Sequence, residues 1–273
     1  MSIAYGITVF FNKKEDFQIL SQLGAVYPFV QYVEFRAETP FLVPGQTPVA
    51  DVRYYRDILR AAGLKNTMHA TYFEINLATQ NPWLKDANIA CYRDYIDLAS
   101  FLESEVLVVH GGTLLPEFLT SPNKEILWET ARRNLCESLY ELAEYGQKKG
   151  VKIAVENLPP EGLENVIFDL ESHLAILDRV DHPNLGGIYD LAHAFLYQQD
   201  VLAYLAGIRP RLFEIHAHNN NGQFDDHFGL PHGKMDYAEI LAHPDCRGIP
   251  FIMEINSRSA VLETLEWLKG RGE

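Results

Sequence analysis

The feature that most constrains the fold is a repeated alternation of short apolar segments with longer segments. Eight short segments are rich in β-branched and aromatic residues, which favours β-strands; they are residues 3–10, 30–35, 66–70, 106–110, 151–156, 185–190, 211–216 and 250–255. Among the intervening segments, 51–63, 84–102 and 121–150 carry helical spacing or a helix-ending glycine. Eight strand–helix repeats predict an α/β protein of the (β/α)8 TIM-barrel class, which typically takes about 250 residues.

A doubly wound open sheet is the alternative for such an alternation. That fold usually carries a glycine-rich phosphate-binding turn after an early strand, and the "GGT" sequence that follows His110 does not match that pattern. No obvious linker or low-complexity tract divides the chain, so we expect a single domain over residues 1–273.

Composition and charge narrow the class of protein further. The 23 basic and 37 acidic residues give a formal net charge of −14, which disfavours a broad basic face for nucleic acid. The three cysteines lie far apart without a CxxC motif, which indicates a reducing compartment. No apolar stretch approaches the ~20 residues of a membrane helix, and no basic region precedes the apolar run at the start. We therefore expect a cytoplasmic protein with no membrane partner.

A histidine or an acidic residue stands at the end of each of six consecutive predicted strands. Each can bind a metal ion, and they are His69, His110, Glu156, Asp190, His216 and Glu254. In a TIM barrel the carboxyl ends of the strands meet at one mouth, where active sites of this fold lie. Three carboxylates buried together need compensating positive charge, which divalent cations supply. Mixed nitrogen and oxygen ligands suit Zn, Mn, Co or Fe better than Ca.

Three more residues join this set, whereas two nearby histidines do not. His193 follows Asp190 by three positions, and Asp225 and His227 are two apart, a spacing that points both side chains the same way in an extended backbone. The remaining histidines of the same stretch, His218 and His232, are predicted to belong to a solvated loop.

Several motifs of the chain match one superfamily over nearly the whole length. They are "HATYFEINLA", "VVHGG", "VENL", "YDLAHAF", "EIHAHNNNG", "DDHFGLPHG" and "FIMEI". The chain resembles the xylose isomerase-like TIM-barrel superfamily, which includes sugar isomerases and epimerases and the endonuclease IV repair enzymes. In the isomerase branch, the resemblance implies one metal held by Glu156, Asp190, His216 and Glu254. It also implies proton exchange by the two glutamates and a sugar contact by His193.

The endonuclease IV branch implies a larger metal centre. Its nine ligands hold three zinc ions, and they match His69, His110, Glu156, Asp190, His193, His216, Asp225, His227 and Glu254. Tyr72 matches a residue near DNA in those enzymes, with a buried structural tyrosine as the alternative. The chain departs from the repair enzymes at Asp226, where they favour Arg, and near His232, where they prefer Gly. It also has Asn219 where the superfamily often has Asp.

Two enzymatic functions follow. The first is a divalent-metal-dependent isomerase or epimerase of a small sugar or keto-polyol, in which Glu156 and Glu254 are the catalytic pair in an order that stays open. His193 and Tyr72 would contact the substrate, and Phe10, Phe11 and Phe195 either pack on the sugar or belong to the core. The alternative is a phosphodiester hydrolase acting on abasic DNA, to which Arg36 would contribute. A barrel that only binds metal or sugar is the non-enzymatic possibility. One to three ions of Mn, Zn, Co or Fe are expected.

Overall fold

The computed structural model describes residues 2–9, 20, 23–160, 162 and 164–272. Within them, eight parallel strands close into a barrel in which each strand pairs with its neighbours along the chain. The strands are β1 (Ala4–Val9), β2 (Val30–Ala37), β3 (Lys65–Ala70), β4 (Val106–His110), β5 (Lys152–Glu156), β6 (Leu185–Asp190), β7 (Leu212–Ala217) and β8 (Pro250–Met253). The predicted TIM barrel is therefore confirmed. Phe10 and Phe11 lie outside the described residues.

Helices follow most of the described strands. The longer ones are Val49–Ala62, Pro82–Leu102, Lys124–Lys149, Leu170–Val180 and Arg258–Gly270; shorter ones are Pro116–Leu119, Leu191–Leu196, Val201–Ile208 and Tyr237–Ala242. The helix predicted from residue 84 begins at Pro82, because the Asn81 side chain accepts hydrogen bonds from the first free backbone amides. Gly63 and Gly150 adopt left-handed backbone conformations that end their helices, as their positions predicted. No helix among the described residues is long and apolar enough to cross a membrane.

The alternation of side chains along each strand decides which residues enter the barrel. Val106 and Val108 pack inside with Ala154 and Ile188 as a small apolar cluster. Side chains two positions apart on a strand share a face, so His110 continues the inward series of β4. Glu156 of β5 and Asp190 of β6 point inward for the same reason, because each lies two positions after an inward residue, Ala154 or Ile188.

Strand register then brings the inward residues to one height. His110 lies opposite Glu156, and Asp190 lies opposite His216, on neighbouring strands. Glu254 follows β8 directly, one residue beyond the end of that strand. A two-stranded antiparallel sheet of Thr113–Leu114 and Glu164–Asn165 lies at the same end of the barrel. The large apolar core lies outside the strands, between them and the helices.

Candidate metal centre

All nine predicted ligands lie at the carboxyl-terminal mouth of the barrel. Six of them are at most 5% exposed to solvent: His69, Glu156, Asp190, His193, His216 and Glu254. The other three, His110, Asp225 and His227, have side chains that are 11–19% exposed. Residues more than 180 positions apart in sequence thus share one buried site, as the barrel topology requires.

His69, His110 and Glu156 form a first group with equal spacing. His69 Nε2 and His110 Nε2 are 3.3 Å apart, and each lies 3.3 Å from Glu156 Oε2. A tetrahedral zinc ion with bonds of ~2.0–2.1 Å separates its ligand atoms by about 3.3–3.4 Å. The three donor atoms therefore have the spacing of ligands that share one cation.

A second group lies deeper, around His216. Its Nδ1 is 3.5 Å from Glu156 Oε1 and 3.3 Å from Glu254 Oε2, and the Asp190 carboxylate completes the group. His216 Nδ1 and Asp190 Oδ2 are buried and have no hydrogen-bond partner among the residues that the structure describes. Buried polar atoms nearly always have a partner, so these two fit a site for a cation.

Three of the ligand histidines are oriented by backbone carbonyl oxygens. Each donates its Nδ1–H over 2.8 Å, and the pairs are His69 with Ala70, His193 with Asn157, and His227 with Glu254. Because a carbonyl oxygen only accepts, Nδ1 carries a proton and Nε2 is the ring nitrogen that faces the mouth. Histidines that bind metals are held in this way by the atoms behind them.

His216 is held in the opposite sense by a carboxylate inside the barrel. Its Nε2–H donates to Glu34 Oε2 at 2.9 Å, which leaves Nδ1 for a metal. Thr8 Oγ1 donates to the other oxygen of Glu34 at 2.9 Å. The Glu214 carboxyl lies behind His216, with Oε1 3.5 Å from Nε2, and burial together with the charge of Glu34 raises its pKa to about 8.

Glu34 and Glu214, which are fully buried, are not among the site residues predicted from the sequence. A signal for them existed: each lies inside a predicted strand, two positions before a polar residue near its end. That spacing puts both pairs on one face of the strand.

The third group joins the loop after β7 to the short helix after β6. Asp225 Oδ2 lies 3.3 Å from His193 Nε2 and 2.9 Å from His227 Nε2. Burial alone would raise the pKa of Asp225, but the positive charge of His193 and the hydrogen bonds with both histidines hold it well below its usual range. His227 has a φ of 51°, a left-handed conformation that non-glycine residues adopt at a cost and that clusters at functional sites.

The prediction that His218 belongs to a solvated loop is wrong. His218 is 0% exposed, and its ring stacks on that of His227 with centroids 3.9 Å apart. The reason is that the chain folds back after β7, with Asn219 and Phe228 bonded to each other through both backbone amides. His232, predicted to be solvated, has a 58% exposed side chain that pairs with Glu263.

Seven of the nine donor residues, all except Asp190 and His216, line a cavity of about 450 Å³. Tyr72 forms part of its wall and stacks on His110 at 4.5 Å. Arg36 also lines it and donates to Glu38, with Nη1 3.7 Å from Glu254 Oε1. Phe195 packs against the hydrophobic core, which is the alternative that the sequence left open for it.

The chain matches a known protein family over most of its length. A family profile described as the xylose isomerase-like TIM barrel matches residues 17–271. The chain belongs to this family. An uncharacterized protein of Methanocaldococcus jannaschii is 30% identical over 194 residues, which cover 70% of the chain and 64% of that protein.

Two more distant relatives carry different functional names. A fructoselysine 3-epimerase of Escherichia coli O157:H7 is 28% identical over 152 residues, 54% of the chain and 52% of the relative. A probable endonuclease 4 of Citrifermentans bemidjiense is 27% identical over 148 residues, 54% of the chain and 48% of the relative. The alignments thus span less than two thirds of each of these three relatives. Among solved structures, a D-tagatose 3-epimerase-like protein has the same fold, with a TM-score of 0.81 at 22% identity over 98% of the chain and 96% of that protein.

Proposed function

We propose that the protein is a divalent-metal-dependent epimerase or isomerase of a small sugar or keto-polyol. One observation carries the proposal: two carboxylates from different strands flank the same buried donor atom. Glu156 Oε1 and Glu254 Oε2 approach His216 Nδ1 from β5 and from the end of β8. Exchange of a proton between the two faces of a carbon requires two such groups around one bound substrate.

The groups that would hold the cation are Glu156, Asp190, His216 and Glu254. A divalent cation among them supplies a Lewis acid that polarises a carbonyl and acidifies the adjacent C–H. The donor set of one imidazole and three carboxylates suits Mn, Co, Zn or Fe.

Both glutamates are ionised at neutral pH and can act as bases. Burial would raise the pKa of each, but interactions with His110, His216 and His69 lower that of Glu156 well below its usual value. The positive charges of His216, His227 and Arg36 do the same for the pKa of Glu254. One carboxylate takes the proton from carbon and the other, once protonated, returns one.

Charge and size of the cavity favour a sugar over DNA. Its volume of about 450 Å³ is in the range of small-molecule sites. Among the lining residues in the described part of the chain, Arg36 is the one arginine or lysine, and it pairs with Glu38. Phosphate backbones bind where basic groups are exposed, and this mouth is acidic.

Cleavage of abasic DNA is the second candidate, and one observation favours it. All nine positions of the endonuclease IV pattern carry residues that can bind a metal, and the proximity of their side chains at the barrel mouth supports this candidate. The epimerase and endonuclease relatives are about equally distant, so likeness to them does not rank the two functions.

Solvent exchange distinguishes the two. Candidate ketoses incubated with the enzyme and Mn²⁺ or Co²⁺ in deuterated water should gain deuterium at the carbon beside the carbonyl. Glu254→Gln should abolish this exchange, whereas His232→Ala, a matched change of an exposed residue, should leave it intact. Salt-sensitive incision of an abasic duplex without exchange into any sugar would reverse the ranking.

A further inference from the structure

We propose that His218 is a metal ligand, and that its Nε2 joins Asp190, His193 and Asp225 in a further cation site at the barrel mouth. The inference rests on the proposed metal centre and extends it. The nine-ligand pattern that the chain shares with the repair enzymes does not include this histidine.

Missing hydrogen bonds are the first observation. His218 is 0% exposed, and neither of its ring nitrogens has a hydrogen-bond partner within the described part of the chain. Among the same residues, Asp190 Oδ2 and Asp225 Oδ1 are also buried without a hydrogen-bond partner. Buried polar side-chain atoms are almost always hydrogen-bonded in folded proteins. The proximity of these unpartnered nitrogen and oxygen atoms therefore points to a cation that all of them would bind.

Spacing is the second observation. His218 Nε2 lies 3.2 Å from Asp190 Oδ2 and 3.4 Å from Asp225 Oδ1. His193 Nε2 lies 3.8 Å from Asp190 Oδ2 and 3.3 Å from Asp225 Oδ2. Three of these four separations are close to the ~3.3 Å expected between ligands of one tetrahedral zinc ion, and the fourth, from His193 to Asp190, is longer. Two imidazoles with two carboxylates also suit Zn²⁺ or Mn²⁺ by ligand type.

The position of each side chain is fixed by its surroundings. Asp190 caps the helix Leu191–Leu196 through Oδ1, which accepts from the His193 amide and leaves Oδ2 for the site. Asp225 divides its oxygens: Oδ2 meets His193 and His227, whereas Oδ1 faces His218. The His227 ring covers one face of the His218 ring at 3.9 Å.

The competing explanation is a structural histidine that only stacks on His227. Such a histidine would normally hydrogen-bond through at least one nitrogen, as buried His173 does with Tyr204 and the Val155 carbonyl. His218 lacks those bonds while lying within 3.2 Å of a carboxylate oxygen. A role in stacking alone does not explain why Asp225 Oδ1 faces His218 at 3.4 Å without a hydrogen-bond partner among the described residues.

His218→Phe tests the proposal because phenylalanine keeps an aromatic ring on His227 and removes both nitrogens. The matched control is His232→Phe, which changes an exposed histidine in the same loop. Protein loaded with Zn²⁺ is dialysed against dilute Zn²⁺ and its ions per chain are counted by mass spectrometry. We expect one ion fewer per chain in His218→Phe and the wild-type count in the control. With Co²⁺, the visible spectrum should lose the contribution of one site.

Folding of the variants is checked by circular dichroism and melting in EDTA, and His218→Asn serves if the phenylalanine variant misfolds. If both misfold, anomalous diffraction from Zn²⁺-loaded wild-type crystals decides: an ion about 2.1 Å from His218 Nε2 supports the proposal. An unchanged ion count and cobalt spectrum in the variant, or an ion map without density at His218, overturns it. A wild-type protein that binds no divalent ion would instead overturn the metal centre as a whole.

Discussion

Glu34 should control metal affinity although it would not touch the metal. Its carboxylate accepts the Nε2–H of His216 at 2.9 Å in a wholly buried position. A hydrogen bond to a charged group contributes about 1.5–3 kcal/mol, and each 1.4 kcal/mol is about tenfold in a dissociation constant. Glu34→Gln keeps an acceptor but loses the charge, so we expect metal to bind about 10-fold more weakly. Glu34→Ala should approach 100-fold, within the range for partners of metal-binding histidines.

Glu214→Gln is the matched comparison in the same layer of the barrel. Glu214 Oε1 lies farther from His216 Nε2, at 3.5 Å, and its pKa of about 8 keeps most of it protonated at pH 7. Glutamine has nearly the shape of the protonated acid, so metal affinity should change much less than in Glu34→Gln. Competition with a chromophoric zinc chelator at pH 7 measures the zinc dissociation constants of the three variants and of the wild type. Zinc binding by Glu34→Gln as tight as in wild type would refute this prediction. An equal loss of zinc affinity in Glu214→Gln and Glu34→Gln would refute it as well.

Three shorter predictions concern the same protein. Glu156→Gln should lose metal and turnover together, because Glu156 contributes an oxygen to two of the donor groups; full occupancy by mass spectrometry with unchanged activity would contradict that assignment. Chelation of metal-loaded protein should lower the melting temperature measured by calorimetry, since an ion that binds only the folded chain stabilises it; no shift on addition of EDTA would count against it. Buried His173 has a pKa lowered to about 4, chiefly by burial. Its contribution to stability is present above the unfolded pKa of about 6.5 and is lost as the pH falls toward 4. Between pH 7 and 5, the free energy of unfolding measured in urea should therefore fall about 2 kcal/mol more in wild type than in His173→Gln. Equal decreases in the two proteins would refute this prediction.

The sequence by itself determined the architecture and most of the candidate site. Strand β4 occupies the predicted residues 106–110, and β6 occupies 185–190. Both predictions succeed because short segments rich in β-branched and aromatic residues favour strands, a local property that survives without knowledge of the partner strands. The strand-end positions of Glu156 and Asp190 follow from the predicted strand bounds, and parallel strands in a barrel carry such ends to one mouth.

Only the tertiary structure decided the grouping of the ligands and the burial of His218. The run of Asn219, Asn220, Asn221 and Gly222 is typical of a turn, but no periodic pattern applies after β7, so the sequence does not show that this turn carries His218 into the mouth. The ring nitrogen that His216 presents is likewise set by Glu34, 182 positions earlier in the chain. Burial of a polar group and the choice of its hydrogen-bond partner depend on which distant atoms surround it, and that arrangement exists only once the barrel has closed.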